Sequence, residues 1–193
     1  MEMLRAGIEQ YSETKVLTAG SFATEEESQS AFFSAFDRLN LFTIYCEVPC
    51  WYFGGAAFSE NPFGRIDFVL SPKPSLIRFG WNMGIVGVEC KKSGHKAGPL
   101  ICQMADYSKA LFRLPENTGS CIVGMSAVFC HPELTASGRC LGSIMANNCI
   151  GEAFCNDRYV KLNVGGTNIL SAHADGTQVR TQTIFCGYKN GSR

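Results

Sequence analysis

The apolar run Ile85-Val86-Gly87-Val88 ends in Glu89-Cys90-Lys91. Read as a strand, it places Glu89 and Lys91, two residues apart, on one face. An earlier run, Ile66-Asp67-Phe68-Val69-Leu70, carries a single acid within it. Alternation puts Ile66, Phe68 and Leu70 on one face of that strand and Asp67 on the other. In the later strand Val86, Val88 and Cys90 share a face, opposite Gly87, Glu89 and Lys91. Neighbouring strands would then gather Asp67, Glu89 and Lys91 at one spot. Carboxylates that close repel unless a cation lies between them. Oxygen ligands beside a phosphate suit Mg2+, with Mn2+ expected to substitute. Lys91 would orient or deprotonate an attacking water and neutralise developing charge.

The segments around these strands predict the frame that carries them. Thr24-Glu25-Glu26-Glu27 opens a helix with a capping box. Apolar residues at 31, 32, 35, 36 and 39 continue it at helical period. Residues 43–50 read as a first strand, 65–70 as a second and 83–91 as a third. A loop rich in glycine and aromatic residues fills 51–62, and Pro72 and Pro74 mark a turn region. Lys92 to Gly98 is a basic loop, and Pro99 suits the first turn of a helix reaching about Arg113. Cys121–Cys130 is expected as one buried fourth strand. Residues 131–155 are ambiguous. Residues 158–187 read as a three-strand meander, with tight turns at Gly165-Gly166 and Asp175-Gly176. Strands joined without a helix pair as antiparallel hairpins, and one reached through a helix joins in parallel. The expectation is an α/β (α+β) fold: a central mixed sheet flanked by helices, in one domain.

Composition narrows the classes. Hydrophobic residues make up 46% and charged residues 18% of 193, a globular balance and not a disordered one. No apolar stretch reaches the ~18 residues of a membrane span, so no membrane partner is expected. Met1-Glu2-Met3-Leu4-Arg5 lacks the form of a signal peptide, which predicts a cytoplasmic protein, or one acting in a host cytoplasm. Residues 1–60 hold three Lys/Arg against nine Asp/Glu. The remainder is correspondingly basic, compatible with a polyanionic partner. Ten cysteines form no C-x-x-C pair, and histidines 95, 131 and 173 have no zinc-like spacing. Buried free thiols in a reducing compartment are expected, and the spacings do not suit an iron–sulfur cluster.

Gln103 and Tyr107 lie four residues apart on the second helix and share a face. With Asp67 and Glu89-Cys90-Lys91 they make the chain resemble the PD-(D/E)XK nuclease superfamily, specifically its Q-x-x-x-Y branch of RecB-like and lambda-exonuclease-like enzymes. The resemblance covers about 24–130 and implies a restriction-endonuclease-like αβββαβ core, followed at about 131–193 by a β-rich extension. It implies Mg2+-dependent hydrolysis of DNA phosphodiester bonds, with a leaning towards end-processing. Asp67, Glu89 and the backbone carbonyl of Cys90 would hold the metal. Lys91 would activate water, and Gln103 and Tyr107 would help to hold substrate. The family often adds an acid from the first helix. Glu25 is favoured, because it shares the face of Phe32, Phe36 and Leu39, whereas Glu27 already caps the helix. Some relatives form rings, so self-association is compatible with the resemblance. No Pro-Asp pair precedes the metal acid here, because Asp67 follows Ile66.

Lys92, His95, Lys96, Lys109 and Arg113 surround the site in sequence and would neutralise substrate phosphates. A solvated loop and helix face explains them equally well. Trp51, Tyr52 and Phe53 would either stack on bases or pack in the core. Glu47 reads as a solvated strand residue. The alternative function is a catalytically silent nuclease-like module that binds nucleic acid or a protein partner.

Overall fold

A computed structural model describes residues 22–52, 62–114, 120–122, 125–129, 144–155, 158–164 and 167–183. Helix α1 spans Glu25–Leu39. Thr24 caps it by accepting from the Glu27 backbone N–H at 3.2 Å, and Glu27 reaches back to the Ala23 N–H at 2.9 Å. Asn40 stops it in the left-handed conformation at φ 53°. Strand β1 is Phe42–Tyr52 and β2 is Gly64–Pro72. The prolines beyond β2 do not leave a bare turn: Pro74 starts a short helix, α2, Pro74–Arg78. Strand β3 is Val86–Cys90, shorter than the run suggested, because Met83 and Trp81 tuck into the core ahead of it.

Helix α3 is Ala97–Tyr107 and does not reach Arg113. Residues Ala110–Arg113 form β4 instead, pairing Ala110 with Tyr52 and Phe112 with Cys50. The run Ala110-Leu111-Phe112-Arg113 alternates in burial, so pairing on β1 hides Ala110 and Phe112 and leaves Arg113 in water. The single strand expected over 121–130 is two. Strand β5, Ser120–Ile122, pairs with β4, and β6, Met125–Phe129, pairs with β3. Then follow β7 Ile150–Cys155, β8 Tyr159–Val164, β9 Thr167–His173 and β10 Arg180–Thr181. Gly176 turns the chain after β9 at φ 79°, where its N–H bonds the His173 carbonyl at 2.9 Å. The Gly165-Gly166 turn, Phe53, His131 and Cys130, Cys140 and Cys186 lie outside the described residues.

The ten strands among the described residues form one mixed sheet, in the order β10-β9-β8-β7-β6-β3-β2-β1-β4-β5. The three strands β1, β2 and β3 are antiparallel, and β6, reached through α3, runs parallel to β3 as expected. The meander is not an appendage: β7 lies parallel to β6 and carries the sheet straight into β8, β9 and β10.

Two apolar layers cover the sheet. On one face Phe32, Phe36 and Leu39 of α1 meet Phe68, Leu70, Val86, Val88, Cys90 and Phe129. Phe32 is central: its ring lies 4.3 Å from Phe36, 4.9 Å from Phe68 and 5.1 Å from Phe129. Burying one such side chain stabilises by roughly 1.5–3 kcal/mol. On the other face Leu100, Ile101, Met104 and Tyr107 of α3 pack on Val69, Val128 and Ile150.

Simple alternation fails at one point. Ile66 joins the α3 layer while Phe68 and Leu70 face α1. Opposite this step, Glu47 of β1 adopts φ 52°, and no ladder pair forms between Glu47 and Asp67. The β2–β3 ladder also runs only from Leu70↔Val86 to Phe68↔Val88. Strand β2 therefore changes hands beside Asp67, where its ladder with β3 ends, and the opening there is where the acids collect.

Candidate active site

Asp67 stands where the β2–β3 ladder stops. Its side chain replaces the missing backbone partner: Oδ2 accepts the Cys90 N–H at 2.6 Å. Its Oδ1 accepts Gln29 Nε2 from α1 at 2.9 Å. Burial, chiefly, holds Asp67 above the ordinary carboxylate range, against the lowering effect of the Cys90 N–H and of Lys91.

Glu89, next along β3, is 4% exposed. Oε1 takes Lys91 Nζ at 2.8 Å and Gln103 Nε2 at 2.9 Å. Oε2 is buried with no hydrogen-bond partner. Burial first, then the charge of Asp67, pushes Glu89 up to about 7, although Lys91 and Gln103 pull the other way. Burial lowers Lys91, but Glu89, Glu25 and Asp67 outweigh it and keep its ammonium above its ordinary value.

Three further residues complete the cluster. Glu25 of α1 reaches Lys91 at 3.4 Å, so the acid of the first helix is placed beside the strands while Glu26 and Glu27 stay exposed at the helix start. Gln103 is also 3.0 Å from the Tyr107 hydroxyl, which donates to the Arg65 carbonyl of β2 at 2.8 Å. Tyr107 thus ties α3 to β2 and fixes Gln103, and Gln103 fixes Glu89. Both side chains of the pair are hydrogen-bonded within the protein. Gln29 is the member that the sequence reading missed. Its spacing from Glu25, four residues along α1, is the signal that would have found it.

Not every expected residue gathers here. Glu47, read as a solvated strand residue, is exposed as expected and pairs with Arg65 at 3.7 Å. Lys92 and Lys96 are exposed on the loop between β3 and α3. Lys109 and Arg113, expected on the helix, lie beyond its C-terminus, in a turn and on β4. The thiols fall into several settings. Cys50 and Cys90 are buried, Cys46 and Cys102 are exposed, and Cys149 is disulfide-bonded, which departs from the expectation of buried free thiols throughout. Burial, then the charge of Glu89, pushes Cys50 up to about 12, so it is an inert neighbour of the site.

A divalent cation fits this donor set. Glu89 Oε2 is a buried acceptor without a donor, and the charge of Asp67 adds to burial in raising Glu89. No group of three His, Cys, Asp or Glu with metal-binding geometry occurs among the described residues. Mg2+ does not require one, because it commonly takes one or two carboxylates and completes its shell with water and phosphate. The chain matches no protein-family model, no curated protein and no solved structure. Among the described residues no helix is long and apolar enough to cross a membrane.

Proposed function

We propose that this chain is a divalent-metal-dependent deoxyribonuclease of the PD-(D/E)XK type, built on a restriction-endonuclease-like core of α1, β1–β3, α3 and β6. One observation carries the reading. Asp67, Glu89 and Lys91 come from two strands that part beside Asp67, and the buried Oε2 of Glu89 has no partner. Burying a carboxylate oxygen without a donor is costly, and here a second acid and a lysine stand beside it.

Asp67, Glu89 and the Cys90 carbonyl would hold Mg2+, which would supply Lewis-acid neutralisation of phosphate charge. The chain's own residues do the rest. The Cys90 N–H fixes the Asp67 carboxylate, and Gln29 fixes it from the other side. Gln103 turns Glu89 so that Oε1 is satisfied and Oε2 is left for a ligand. Lys91 is held as an ammonium by Glu89 and Glu25, so it orients the attacking water and stabilises the charge that builds on the phosphoryl oxygens. Glu25, partly open to solvent, is placed to accept the proton that water gives up. Exposed Lys92 and Lys96 adjoin the site on its loop and suit backbone phosphates.

The test is cleavage of linear and circular DNA with Mg2+ or Mn2+, with and without EDTA. Lys91→Ala and Asp67→Asn should lower the rate by at least ~100-fold, the scale of a lost charge-stabilising or acid–base group. EDTA should stop the reaction. DNA that is shifted on a gel but never cut would identify the silent binding module instead. Cutting at full rate by Lys91→Ala would remove the nuclease reading.

A further inference from the structure

Tyr52 ends β1 and Phe63 stands just before β2, at the same end of the hairpin. Tyr52 is 59% exposed and Phe63 36%. Their rings are nevertheless stacked, with centroids 3.9 Å apart and planes within 14°. Behind them Phe63 lies 6.4 Å from Tyr107 at an interplanar angle of 29°. The Tyr107 hydroxyl holds Gln103, and Gln103 holds Glu89. A file of near-parallel rings therefore leads from open solvent to the carboxylate cluster. Tyr52 pairs across the sheet with Ala110, and the residue before that, Lys109, is an exposed cation.

We propose that Tyr52 and Phe63 form a stacking subsite for an unpaired base of the DNA strand whose backbone lies at Asp67, Glu89 and Lys91. The inference rests on the nuclease reading and narrows its substrate class. In an intact duplex each base already stacks on its neighbours, so a ring at the surface can take only a base from a single strand or an opened end. Every base has a π-face, so such a platform tolerates any sequence. Lys109 supplies a charge for the phosphate beside the stacked base. The subsite thus suits single-stranded or frayed-end DNA, cut without sequence preference.

The test uses the full chain in EDTA, so that nothing is cut, and a single-stranded oligodeoxynucleotide carrying 2-aminopurine, whose fluorescence falls on stacking. The wild type should quench it. Tyr52→Ala and Phe63→Ala should each bind it ~10-fold more weakly, the scale of one lost base–aromatic stack. Tyr52→Trp should restore binding. An oligomer of tetrahydrofuran phosphodiesters, with phosphates but no bases, should bind wild type and Tyr52→Ala equally. No quenching by the wild type, or equal affinity of wild type and both alanine variants for the fluorescent strand, overturns the subsite. Cleavage in Mg2+ is read in parallel. Quenching without cleavage removes the nuclease and keeps the subsite, whereas cleavage without quenching removes the subsite alone.

Discussion

Glu152 on β7 is 9% exposed, and its Oε1 is buried without a partner. Burial alone raises its carboxyl from 4.5 to about 7. The sign follows from linkage. The folded state holds the proton more tightly than the unfolded chain, so the folded state is favoured at low pH and loses that advantage as pH rises. The loss begins near the unfolded value of 4.5 and is complete once pH passes about 7. Glu152→Gln should remove this slope and add about 1–3 kcal/mol of stability above neutrality. Urea unfolding of wild type and variant across that range reads it as a difference, which cancels the similar slope contributed by Glu89. Parallel curves for the two proteins would show that Glu152 has a partner in solution. Single residues of this kind are hard to see in a sequence. Nothing about Glu152 itself distinguishes a buried acid from a solvated one, whereas Glu89 was conspicuous because Lys91 followed it at strand spacing. Gln29 and Glu25 show the middle case: helical period placed them on one face, but only packing of α1 against β2 and β3 decided that the face met the acids.

At the scale of elements, β7 is locked by closeness to its neighbours. A Cβ on Gly151 would lie 2.3 Å from the Asn163 carbonyl oxygen, 2.8 Å from Met125 Cε and 2.9 Å from Val164 Cγ2. Side-chain tips can yield, but the Asn163 oxygen belongs to the β7–β8 ladder. Gly151→Ala should therefore destabilise by about 3 kcal/mol. Gly98, in the first turn of α3, has nothing within 4 Å of such an atom. Gly98→Ala should stabilise by about 0.5 kcal/mol, through helix propensity. Chemical denaturation of the two variants checks both signs, and the account fails if Gly151→Ala is neutral. Elements also mark the limit of pattern reading. Helix α1 was legible from Thr24 to Leu39 because capping box and apolar period agreed. The end of α3 was not, since Ala110-Leu111-Phe112-Arg113 suits a helix or a strand equally and only the open edge of β1 settled it.

The described strands form one sheet, and its middle is the seam between the site-bearing strands and the meander. Strand β6 is buried at every position and pairs with β3 on one side and β7 on the other. A chain cut before Ile150 would turn β6 into an apolar edge and uncover the layer beneath Ala153, Val160 and Leu162. That shortened chain should aggregate, or unfold without a cooperative transition, when followed by light scattering and circular dichroism. A soluble, cooperatively folding fragment would show that the meander is dispensable to the core. The local pattern of the sequence determined that α1 and β1 to β3 form, and that Asp67, Glu89 and Lys91 belong together, since helical period and strand alternation are short-range consequences of residue type. Only tertiary structure decided that β2 and β3 part beside Asp67, that the meander continues the central sheet, and that Glu89 Oε2 is left without a donor. Those outcomes depend on which surfaces meet across the fold, and hydrogen-bond satisfaction and burial are properties of that meeting.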